Sequence, residues 1–123
     1  MRKYITLFFS VSVLLSACKG GGAPKGIISR DRMISLLTAF HMVDGQMYSV
    51  PPIADSLYKY GTDRYLILFK KFHTDSAQFR ASLKYYTTQP VELQAMYDKI
   101  LANLKQKTDS LNKIVEKNAL RKE

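Results

Sequence analysis

Reactive sulfur and ring nitrogen are scarce in this chain: its 123 residues hold one cysteine, Cys18, and two histidines, His41 and His73. One cysteine excludes an internal disulfide. With no second thiol and no H-E-x-x-H spacing, the familiar zinc patterns are excluded as well. The ten carboxylates stand singly along the chain, so no paired acid and base is written into it. Nucleophile-elbow and calcium-loop signatures are missing too. Gly21 and Gly26 have the spacing of a phosphate-binding loop, but Ile27 and Ile28 stand where Lys and Ser/Thr are required. These absences lead to the expectation that the protein is not an enzyme, with no catalytic residue, no metal and no bound cofactor.

Long apolar runs are missing as well. The longest, the uncharged apolar and hydroxyl run Tyr4 to Leu15, has 12 residues, short of the ~20 that a helix needs to cross a bilayer but enough for the core of a signal peptide. Arg2 and Lys3 precede it, and the absence of an Arg-Arg pair favours the general secretory route. Leu15-Ser16-Ala17-Cys18 then resembles the lipobox of bacterial lipoproteins at all four positions. The resemblance implies that the Cys18 thiol carries a diacylglycerol, that cleavage falls just before it, and that this covalent lipid is the only non-protein group. A buried structural cysteine is the bland alternative, and a catalytic thiol would need a base and a fixed pocket that a following glycine run does not supply.

The predicted organisation is a signal peptide over 1–17, a lipidated cysteine and Gly-rich tether over 18–26, and a helical domain over 27–123. KGGGAPKG, residues 19–26, holds four of the six glycines. Such composition buries nothing, and its eight residues extend at most about 26 Å at ~3.3 Å each.

Alternating strand patterns are absent, and the apolar residues recur at three and four instead, which predicts an all-α fold: a small bundle of four helices with a long last one. Ser29 is the expected N-cap of a helix over 30–47, stopped by Pro51-Pro52. A second helix is expected over 53–73 with a weak point at Gly61, a third over 76–87 capped by Thr74 or Asp75, and a fourth from Pro90 to about 117. Phe79, Leu83 and Tyr86 are the expected inward residues of the third. His73 is placed to bond the last carbonyls of the second helix, and Ser82 to let helices approach or to bond a tyrosine hydroxyl. Fraying is expected from Lys105 onward, where apolar residues thin out.

Tryptophan is absent, while tyrosine occurs eight times and phenylalanine six. Neighbouring Tyr85 and Tyr86 differ by about 100° around a helix axis, so one is expected in the core and the other outside. With Lys84 and Lys71 they form the predicted partner surface, since tyrosine beside cationic groups is favoured at interfaces. Lysine and arginine exceed the acids by 9, and by 7 without Arg2 and Lys3. Such charge, with a helix-turn-helix-like spacing of Lys70, Lys71, Arg80 and Lys84, raises nucleic-acid binding, which export argues against. A solvated lysine face is the bland reading.

The stretch Tyr65 to Tyr97, YLILFKKFHTDSAQFRASLKYYTTQPVELQAMY, resembles the hallmark region of a small lipoprotein family of Bacteroidota classed as a domain of unknown function. Phe69-Lys70-Lys71, Thr74-Asp75, Phe79, Ser82, Tyr85-Tyr86, Pro90 and Tyr97 carry it. The resemblance implies an all-α envelope lipoprotein and transfers no catalytic residue. Surface-exported lipoproteins of that phylum tend to have acids after the cysteine. Lys19-Gly20-Gly21-Gly22 departs from this, so the outer membrane facing the periplasm is expected. The functional expectation is a lipid-anchored binding or accessory module for another envelope protein, with no nucleic acid. The alternative is a structural role in which the basic tail contacts anionic lipid or cell-wall polymer.

Overall fold

The computed structural model describes residues 22–121, so the predicted signal peptide, Cys18 and the first part of the tether lie outside the described residues. Within these residues four helices and no strand occur: α1 Arg30–Met47, α2 Ala54–Lys71, α3 Ser76–Thr87 and α4 Pro90–Leu120. The all-α bundle with a long last helix is therefore the fold.

Local chemistry sets most of the helix ends. Pro90 occupies the first turn of α4, where its missing N–H leaves nothing unsatisfied. Asp75 caps α3, its carboxylate accepting the Gln78 N–H at 2.7 Å. At the end of α2 the Thr74 N–H donates to the Phe69 carbonyl at 3.0 Å and the His73 N–H to that of Lys70 at 3.1 Å, the double bond pattern of a Schellman motif. That motif puts His73 at φ 49, a left-handed conformation in which glycine is usual. The guanidinium of Arg32, from α1, donates to the Phe72 carbonyl. Backbone N–H groups and Arg32 thus meet the carbonyls that the sequence assigned to the His73 imidazole. Ser29 does stand at the N-cap of α1, but its side chain makes no capping bond.

One further expectation is corrected. Gly61 neither kinks nor restarts α2, because it is a site of close approach: a Cβ there would lie 3.1 Å from the Met47 methyl of α1. α4 runs helical to Leu120, a little past the expected end near 117. Lys105 and Asp109 pair at 2.9 Å one turn apart, and the segment is rich in good helix formers.

α1 is the central element, packed against both α2 and α4, while α3 packs against α4. Met33, Leu36, Met96 and Ile100 are fully buried, joined by Ile28, Ile34, Leu37 and Tyr86. The buried Thr38 hydroxyl donates to the Ile34 carbonyl at 2.8 Å, so it enters the core without an unpaired group. A second apolar layer is aromatic: Phe40 stacks between Tyr65 at 4.9 Å and Phe79 at 4.6 Å, tying α1 to α2 and α3.

Ahead of α1 the chain already has structure. The Ile27 N–H donates to the Pro24 carbonyl at 3.0 Å, and Gly26 adopts φ 87, as the third position of a type II turn demands. Pro24 to Gly26, predicted as the end of the tether, belong to this turn.

Candidate functional site

The residues predicted as one partner surface separate in space. Tyr86 is only 3% exposed, and its hydroxyl donates to the Ile28 carbonyl at 2.8 Å. The Ile28 N–H in turn donates to Ser82 Oγ at 2.9 Å, and the Ser82 hydroxyl donates to the Gln78 carbonyl at 2.7 Å. Both backbone polar groups of Ile28 are therefore gripped by α3. Tyr86 is thus the core member of the Tyr85-Tyr86 pair, in keeping with its expected inward position, which takes it off the predicted partner surface. The expectation for Ser82 is corrected, since it bonds a backbone N–H instead of a tyrosine hydroxyl. Burial pushes the Tyr86 phenol up from its ordinary pKa, with Tyr85 and Glu92 adding to the effect. Tyr85 is half-buried with its ring edge-on to Tyr86, the centroids 5.1 Å apart. Lys84 is exposed beside them.

Lys71 belongs elsewhere. It lines a groove of about 870 Å³ that Lys84, Tyr85 and Tyr86 do not reach. α1 contributes Ala39, Met42 and Val43 to it, α2 contributes Ile67 and Leu68, and α4 contributes Leu111. The groove exists because α2 and α4 both pack on α1 with little contact between themselves. Arg64 and Lys71 lie on the α2 side and Lys107 on the α4 side, and no carboxylate lines the groove among the described residues. Arg64 is steadied by its position 4.7 Å over the Tyr60 ring.

Sequence reading missed this groove, although part of its signal was present. Arg64, Ile67, Leu68 and Lys71 fall at the three, four and seven spacing of a single helix face, as do Lys107 and Leu111. What was hidden is that the two faces look toward each other across α1.

A second side-chain cluster joins α1 and α2. The Tyr65 hydroxyl donates to Asp44, whose other carboxylate oxygen lies 3.8 Å from His41 Nδ1. The Tyr65 phenol is pushed up to about 12, chiefly by that hydrogen bond, then by burial and by the Asp44 charge. The Tyr65–Asp44 hydrogen bond links α2 to α1. Among the described residues no group of three or more His, Cys, Asp or Glu side chains is placed to hold a metal ion, and no helix is long and apolar enough to cross a membrane.

Residues 24–110 match the family model described as Domain of unknown function (DUF4296). The chain belongs to this family. The matched region starts at Pro24, the first residue of the turn, and takes in the Ile28 clamp, α1 to α3 and every groove residue named above except Leu111. No curated protein and no solved structure matches the chain.

Proposed function

We propose that this DUF4296 protein is a non-enzymatic, lipid-anchored module of the Bacteroidota cell envelope, held at the outer membrane facing the periplasm, where it docks on another envelope protein. The observation that carries this reading is the grip on Ile28, ten residues after the lipobox cysteine. An anchor is useful to a binding module only if the tether is fastened to the folded part. Here the chain enters through a turn and is then bonded at both backbone groups from α3. Five residues lie between Cys18 and Pro24, and the six residue steps reach about 20 Å at ~3.3 Å each, so an anchored bundle would sit close to the headgroups. Support for a non-enzymatic role comes from the chemistry of the polar clusters: the Asp44–Tyr65 pair spends its polar groups on joining two helices, and the Ser82–Ile28–Tyr86 set on fastening the segment ahead of α1 onto α3.

Full-length protein carrying Cys18→Ser, expressed in a Bacteroidota host, tests the anchor. Wild-type chain should incorporate labelled palmitate, mature in a globomycin-sensitive step and sediment with membranes. The variant should do none of these, and normal processing with membrane retention in it would refute the reading.

A second reading is supported by the outer half of α4, where Lys105, Lys107, Lys113, Lys117 and Arg121 are exposed beside Leu111, Ile114 and Val115. A basic amphipathic helix of this kind suits an anionic lipid surface, each cation adding about 1 kcal/mol.

A further inference from the structure

We infer that the groove between α1, α2 and α4 receives an acidic amphipathic helix of a protein partner. This inference rests on the docking reading above and names its surface and the chemistry of the occupant.

The groove offers apolar area that its own chain leaves open: Ile67 is 61% and Leu111 57% exposed on its two sides. Its apolar residues on α1 run from Ala39 to Val43 and its full lining there from Ser35 to Gln46, a length of 11 residue steps, or about 16 Å at ~1.5 Å per residue. That length accommodates about three turns of a second helix, enough for anchors at i, i+3 or i+4, and i+7. A helix also brings no unpaired backbone groups into an apolar trough, unlike an extended segment.

Charge selects the occupant. Arg64 and Lys71 on one side and Lys107 on the other face a groove with no carboxylate among its described lining residues. Among the described residues none of these three cations is in an ion pair, whereas neighbouring Lys105 is matched to Asp109. Acids flanking an apolar stripe on the incoming helix would meet cations on both sides. A second copy of this chain is the wrong partner: its free outer α4, residues 105–121, carries five cations against two carboxylates, so basic would meet basic. A bilayer fits no better, because the cations border a concave trough that a planar headgroup layer cannot enter.

Photocrosslinking in native envelopes tests this, with the full chain carrying a photoreactive phenylalanine in place of Ile67, Leu111 or Tyr85. Expected are adducts from the Ile67 and Leu111 positions to one protein, through a segment in which Asp and Glu outnumber Lys and Arg. Combining Lys71→Glu with Lys107→Glu should cut their yield about tenfold, with circular dichroism confirming that the variant stays helical. Adducts at the groove positions to lipid, to a second copy or to a segment without excess acid would overturn the inference, as would a yield indifferent to charge reversal. Protein adducts from the Tyr85 position alone would overturn the groove while leaving the docking reading in place. Failure of all three positions to capture protein would overturn both.

Discussion

At the scale of single residues, the most consequential are those that hold Ile28. Its N–H and carbonyl are bonded by Ser82 and Tyr86, 54 and 58 residues away, and all three residues are buried. Truncating either partner leaves a buried backbone group without a mate, which costs about 1 to 3 kcal/mol. Tyr86→Phe and Ser82→Ala should each lower the stability of the full chain by about that amount in urea unfolding. Together they should cost less than the sum of the two, because once one bond is lost the segment around Ile28 can detach and let water reach the other group. Unchanged unfolding midpoints in both single variants would show that the clamp contributes nothing. These contacts also give the Tyr-Tyr pair and the small residue of α3 their roles. Tyr86 and Ser82 lie four residues apart on one face of α3, with Tyr85 packed edge-on beside Tyr86.

At the scale of elements, the caps determine where helices stop, and one of them is strained. His73 takes the left-handed position of the Schellman motif after α2, a conformation costing a residue with a Cβ about 1 to 2 kcal/mol. His73→Gly should therefore raise stability by about 0.5 to 1 kcal/mol after allowing for the greater freedom of glycine in the unfolded chain. His73→Val should lower it, and a calorimetric series across the three residues checks the order. Legibility in sequence follows the same division. The limits of α1 and α3 and the start of α4 were readable because Pro51-Pro52, Asp75 and Pro90 act within a turn of where they stand. Gly61 misled because its local penalty is visible in sequence, while the Met47 side chain that needs the space is not. The Ile28 clamp and the groove were invisible for a related reason: each is made by residues tens of positions apart, and only the packing of α2, α3 and α4 around the rest of the chain brings them together.

At the scale of the molecule, the bundle and the outer half of α4 are energetically separate. Every described residue from Lys105 to Arg121 is exposed, so this segment adds little to the core formed by Met33, Leu36, Met96 and Ile100. Removing residues 106–123 should therefore leave the urea midpoint of the remaining chain nearly unchanged, within about 0.5 kcal/mol in stability. The same deletion takes away Lys107 and Leu111, and with them the α4 side of the groove. A truncated, lipidated chain should stay folded and membrane-bound yet lose protein adducts from the Ile67 position. Binding of the soluble domain to anionic vesicles provides the contrast: if the basic helix serves lipid, the deletion abolishes salt-sensitive vesicle binding while adducts from Ile67 persist. A large loss of stability would contradict the separation itself, and would mean that the outer half of α4 supports the bundle from which it projects.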